Sequence, residues 1–159
     1  MSEKHKIIFV CTDNYGRSII AERCLENYLA KNNILNYEIA SAGTNASSDT
    51  TGFTLSQFTQ LKKLGINNSA PQRTQLTPEL AKSADLIIIF DHFHQDWLKT
   101  NLNLNAPLFD EIYKNESTPI NCKNYDDKYP INEKMIQIVN YIYEATPTLF
   151  HQIEKIIKK

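Results

Sequence analysis

Residues 6–18 read Lys6-Ile7-Ile8-Phe9-Val10-Cys11-Thr12-Asp13-Asn14-Tyr15-Gly16-Arg17-Ser18. The stretch opens on a short continuous apolar run at 6–10, the pattern of a strand buried on both faces. It closes on Cys-x5-Arg-Ser, and the residues after it take helical spacing over 17–31, with Ile20, Cys24, Leu25, Tyr28 and Leu29 on one side. A strand thus runs through a seven-residue loop into a helix. Such a loop can curl its backbone so that successive N–H groups face one centre, a nest for an anion. The helix start adds its positive end.

Each loop residue has a chemical use in that setting. Cys11 is a thiol at a helix N-terminus beside a cation, where the thiolate is favoured. Arg17 can hold two phosphoryl oxygens at once. Ser18 can donate a hydrogen bond to the thiolate. Asn14 tolerates the left-handed backbone region. Gly16 fits where the backbone comes close to a ligand. Thr12, Asp13 and Tyr15 complete the candidate substrate-binding set, with Tyr15 on the rim. The plain alternative is a buried strand-end cysteine near a surface arginine, and Cys-x5-Arg alone is a common pattern. Its place directly after the first strand raises its value.

The rest of the chain supplies the frame. Strands are expected at 37–42, 85–90 and 106–109, and helices at 54–64, from Thr77-Pro78-Glu79 onward, and at 91–102. The 54–64 helix turns Leu55, Phe58, Leu61 and Leu64 inward and stops at Gly65, and Thr77 is an N-cap before Pro78 at the first helical position. Residues 110–130 are irregular, and 131–159 form a closing helical region that Pro147 should kink or divide. Alternating strands and helices define an α/β sandwich on a parallel sheet, with right-handed crossovers placing helices on both faces. Ligands in such folds sit beyond the carboxyl ends of the strands, which is where Cys11 falls.

Composition bounds the function. The chain has 159 residues, 42% hydrophobic and 22% charged, with a net charge of −1, so it is expected to be one domain over 1–159 with no nucleic-acid surface. No apolar run approaches the roughly 20 residues of a membrane span, and no signal-peptide core precedes the first strand. The three cysteines, Cys11, Cys24 and Cys122, argue for a reducing compartment, with the cytoplasm expected. His92 and His94 flank Phe93 without further ligands at metal-binding spacing, so they read as surface histidines and neither metal nor cofactor is expected.

The loop resembles that of the low-molecular-weight protein tyrosine phosphatases, whose pattern is Val-Cys-x-Gly-Asn-x-Cys-Arg-Ser-x-x-Ala-Glu. Val10, Cys11, Asn14, Arg17, Ser18, Ala21 and Glu22 match in register. Ser41-Ala42-Gly43-Thr44, Leu64-Gly65-Ile66, Gln75-Leu76-Thr77 and Ala84-Asp85-Leu86-Ile87 then recur in family order, so the likeness covers nearly the whole chain. The resemblance implies a flavodoxin-like three-layer sandwich with a four-stranded parallel sheet in the order 2-1-3-4. It implies Cys11 as nucleophile, Arg17 as phosphoryl clamp and a phosphocysteine intermediate. The general acid falls in Tyr125-Asp126-Asp127-Lys128-Tyr129-Pro130, where the better register selects Asp127 over Asp126 and makes Tyr129 an aromatic wall. The implied substrate is a phosphotyrosine protein or a small aryl phosphate, with phosphate-like anions as ligands.

The chain also departs from the pattern. Gly16 replaces a second loop cysteine, so no neighbouring thiol can trap an oxidised Cys11. Asp13 stands where the family has Gly; its side chain is expected to point away from the nest. No His is present near 69–73 to brace Asn14, and Gln72 is a candidate substitute. Lys128 replaces the Pro of the acid loop, which loosens it. Three rivals stay open: a non-catalytic phospho-ligand-binding domain of the same fold, a thiol-coupled arsenate reductase, which needs more cysteines than the chain offers, and a sugar-phosphotransferase component, which needs neither Arg17 nor an acid loop.

Overall fold

The computed structural model describes residues 4–121 and 131–158. The expected acid loop, with Asp126, Asp127, Lys128 and Tyr129, and also Cys122, lies outside the described residues. Among these, β1 (His5–Cys11), β2 (Tyr37–Gly43) and β3 (Leu86–Ile89) form a parallel sheet in the order β2-β1-β3. The register runs from His5 opposite Tyr37 to Cys11 opposite Gly43 on one side, and from Ile7 opposite Leu86 to Val10 opposite Ile89 on the other.

The central strand is buried on both faces. Ile7 and Phe9 point into one apolar cluster, Ile8 and Val10 into another, as the two-residue alternation of a strand requires. The first cluster is covered by α1 (Arg17–Lys31) and α6 (Ile131–Ile157), with α2 (Ser56–Lys63) and α5 (Phe109–Lys114) packed against α6. The second is covered by Ala81 of α3 (Pro78–Lys82) and Leu98 of α4 (His92–Leu102). Helices therefore lie on both faces, as expected of an α/β sandwich.

The sheet has three strands among the described residues, not four. Where the fourth was expected, a single parallel bridge joins Ile89 to Leu108, and Ile89 donates to the Pro107 carbonyl at 3.0 Å. Pro107 has no N–H to return to a ladder. The Leu108 N–H instead bonds the Glu111 carboxylate at 2.7 Å, which opens α5 at Phe109. That helix replaces the start of the segment expected to be irregular, and Asn115 ends it in the left-handed region (φ 57°).

Two helices differ in detail from expectation. Leu55 lies just outside α2 and is exposed, while Phe58 and Leu61 are buried as expected. Helix α6 runs undivided through Pro147. Met135, Ile138, Val139 and Ile142 anchor it before that residue, and Leu149, Phe150 and Ile153 after it, so core packing keeps both halves helical. The hydroxyl of buried Thr146 donates to the Ile142 carbonyl at 2.7 Å.

Candidate functional site

The loop between β1 and α1 is held from outside. Thr44 N–H donates to the Cys11 carbonyl (2.9 Å) and Asn45 N–H to the Thr12 carbonyl (2.8 Å). The N–H groups of Asp13, Asn14, Tyr15 and Gly16 have no acceptor among the described residues. Asn14 takes the left-handed conformation (φ 51°), as its residue type allows. Among the described residues the loop thus keeps donors without an acceptor beside the thiol at the helix start, the arrangement of an anion nest. Gly43 makes room for it: a Cβ there would stand 2.5 Å from the Thr12 carbonyl oxygen and 2.9 Å from the Asn14 nitrogen. Gly16 has a negative φ (−115°), and a Cβ on it would meet only the Met135 terminal methyl at 3.2 Å.

The buried side of the loop is a chain of hydrogen bonds. Cys11 Sγ and Ser18 Oγ are 2.9 Å apart. Ser18 Oγ accepts from Asn14 Nδ2 at 2.9 Å, which leaves its own proton available to the sulfur. Asn14 Nδ2 also reaches Ser41 Oγ (3.0 Å), and Ser41 donates to the Glu22 carboxylate. Burial pushes the Glu22 carboxyl up against the lowering effect of that bond and of Arg23. The other side of the Asn14 amide accepts the Thr74 N–H at 2.7 Å. That backbone contact, with Ser41, braces Asn14; among the described residues Gln72, the candidate substitute, gives only a carbonyl acceptor to the Thr74 hydroxyl.

Asp13 is tied down outside the nest. Its Oδ1 accepts from Ser48 Oγ at 2.6 Å, and its carbonyl accepts from Arg73 Nε at 2.9 Å. Arg73 also bonds the Ser48 carbonyl and hydroxyl, so the polar loop at 45–51 is stitched to the Cys11 loop.

Arg17 has a partner that the sequence reading missed. Its Nη1 donates to Asp91 Oδ2 at 2.9 Å and to the Ile120 carbonyl at 2.8 Å. Asp91 also caps α4, its Oδ1 accepting the His94 N–H at 3.0 Å. Burial raises the Asp91 carboxyl, but His94 and Arg17 outweigh it and the net shift is downward. The only sequence signal for this residue was its place between a strand and a helix, which reads as a cap and nothing more.

His94 was expected on the surface. It is fully buried (0% exposed), with Nε2 2.9 Å from Thr12 Oγ1, while His92 is exposed. No cluster of three potential metal ligands exists among the described residues.

Above Cys11 and Arg17 opens a cavity of about 310 Å³ with apolar walls from Tyr15, Phe53, Ile131 and Met135. Tyr15 is held edge-on between Phe53 (ring centres 5.8 Å apart) and Phe58 (5.4 Å). Thr54 and Asn132 hydrogen-bond across the mouth, joining the loop before α2 to the first turn of α6. Asp127 and Tyr129, expected at this cleft, lie outside the described residues.

A thiol, a clamped guanidinium and unused amide donors on one strand–loop–helix turn of an α/β sandwich define the class of cysteine-dependent phosphate-handling proteins. The family model described as low molecular weight phosphotyrosine protein phosphatase matches residues 6–159. The chain belongs to that family. No curated protein sequence matches it significantly. Among solved structures, a YwlE mutant from Bacillus subtilis is similar, with 25% identity, TM-score 0.79 and coverage of 95% of this chain and 99% of that one. YwlE arginine phosphatase from Geobacillus stearothermophilus shares 22% identity at TM-score 0.75, covering 95% of this chain and 94% of that one. The low molecular weight protein tyrosine phosphatase from T. tengcongensis shares 22% identity at TM-score 0.75, covering 93% and 99%. No described helix is long and apolar enough to cross a membrane.

Proposed function

We propose that the whole chain acts as one cytoplasmic protein-tyrosine phosphatase that works through a phosphocysteine. Cys11 Sγ attacks phosphorus in line with the departing phenolic oxygen. Arg17 and the N–H groups of residues 12–18 hold the three phosphoryl oxygens, whose charge they stabilise most in the transition state. Asp127 protonates the leaving phenolate; then, as carboxylate, it takes a proton from the water that cleaves the S–P bond, releasing phosphate and the thiolate. Asp126 is the alternative acid. Tyr129 and Tyr15 flank the substrate ring.

The observation that carries this reading is the Ser18 hydroxyl 2.9 Å from Cys11 Sγ, at the base of a cavity walled by Tyr15 and Phe53. Ser18 supports a thiolate, and the aromatic walls suit an aryl phosphate. Phosphoarginine is the second reading, because a protein of the same fold is named an arginine phosphatase. An arsenate relay has little support: Cys24 is buried in α1 and its thiol is pushed up to about 12 by burial. The test compares para-nitrophenyl phosphate, a phosphotyrosine peptide and a phosphoarginine peptide. The expected result is turnover of both aryl phosphates, none for Cys11→Ser, and a kcat loss of about 100-fold or more for Asp127→Ala. Preference for phosphoarginine reassigns the substrate; phosphate binding without any turnover selects the non-catalytic domain.

A further inference from the structure

Helix α4 meets the phosphate loop at both of its ends. At the Arg17 end, Asp91 holds the guanidinium; at the Cys11 end, His94 meets Thr12. Both contacts come from the first turn of α4, and Asp91 ties them together by accepting the His94 N–H.

His94 is costly to keep in this place. Its side chain is completely shielded from solvent, and Nδ1 has no hydrogen-bond partner among the described residues. A buried polar atom without a partner is destabilising, and an apolar side chain of similar shape would avoid that cost. What the imidazole has that an apolar residue lacks is the contact of Nε2 with the Thr12 hydroxyl, 2.9 Å away. Thr12 is the residue next to the thiol. Nδ1 lies 3.3 Å from Asp91 Oδ1, outside hydrogen-bond geometry, but a proton on Nδ1 is favoured over a lone pair set against the carboxylate. Nε2 is then an acceptor, and the Thr12 O–H is its donor.

We propose that His94 is a positioning residue of the phosphate loop: by accepting the Thr12 hydroxyl proton it fixes the backbone beside Cys11, so that thiolate and amide donors stay aligned on the phosphoryl group. This rests on the phosphatase reading of the same site. His94 touches no substrate. It acts through Thr12 at one end of the loop while Asp91 acts through Arg17 at the other, so a single helix turn sets the distance between nucleophile and clamp. Misplacement by a fraction of an ångström degrades the transition state more than ground-state binding.

The experiment is a double-mutant cycle on para-nitrophenyl phosphate with His94→Leu, Thr12→Val, their combination and His94→Gln. Both single variants are expected to lower kcat about tenfold with KM little changed. The combination should be no slower than either single change, because both remove the same bond. His94→Gln should recover most of kcat, since the Gln amide can present an acceptor near the Nε2 position. Losses that multiply in the combination, a His94→Gln variant as slow as His94→Leu, or wild-type kcat in His94→Leu would each overturn the proposal. If His94→Leu does not fold, Thr12→Val carries the test: it should still lower kcat about tenfold with KM little changed, and wild-type kcat in Thr12→Val overturns the proposal. Absence of turnover in the wild-type protein refutes the phosphatase reading instead; the coupling is then read from inorganic phosphate affinity by calorimetry across the same variants, and independent losses there overturn the positioning role.

Discussion

At the residue scale, Gly43 and Asn14 show how much of the site is backbone. Gly43 is the last residue of β2, opposite Cys11, and the Thr12 carbonyl passes where its side chain would be. Neither neighbour is a flexible side-chain tip, so the loop itself must move if a Cβ is added. Gly43→Ala is therefore expected to lower kcat/KM by about tenfold or more while leaving the protein folded, checked by aryl phosphate kinetics beside circular dichroism. Wild-type kinetics in that variant would show that the loop can shift without chemical cost. The Gly43-Thr44 pair was readable as part of the family pattern; the reason for the glycine was not, because it lies in a contact between two chain segments.

At the scale of elements, α4 and α6 differ most from what local sequence implies. In α4 a helix was expected over 91–102, and it forms from His92 with Asp91 as its cap; that the same carboxylate holds Arg17 depends on where the helix docks. In α6 the helix is not divided at Pro147, because the apolar residues on either side of it share one core. A proline inside a helix leaves the carbonyl one turn back without its usual donor. Pro147→Ala restores that donor at a site whose backbone is already helical. We expect it to raise stability by about 1 kcal/mol or more, seen as a melting temperature several degrees higher. An unchanged or lower melting temperature would mean that the proline has a packing role that outweighs the lost bond.

At the scale of the whole molecule, the α4–loop junction leaves a mark on stability against pH. Burial, then the Arg17 charge, lower His94 to about 4, against 6.5 for the free side chain. The unfolded chain therefore binds the proton more readily, so stability present above pH 6.5 is lost as pH falls toward 4. Glu22 and Glu26 act in the opposite sense: both are raised by burial, Glu26 to about 7, and their contribution is lost as pH rises. The His94 share is isolated by comparison with His94→Gln. The difference in denaturation free energy between the two proteins should shrink steadily from pH 6.5 to 4; a constant difference would show that His94 does not titrate in that range. By itself the sequence determined the alternation of strands and helices, the Cys11–Ser18 loop and the buried central strand. Those depend on runs, caps and spacings within a few residues, where local backbone preference and burial agree. Only the tertiary structure decided that Asp91 holds Arg17 across 74 residues, that His94 meets Thr12 across 82, and that Thr74 braces Asn14 across 60. It also reduced the fourth strand to one bridge, because Pro107 and the start of α5 compete with the ladder. The physical reason is common to these cases: a buried polar group takes whichever partner the packed helices bring to it, and that choice has no local signature.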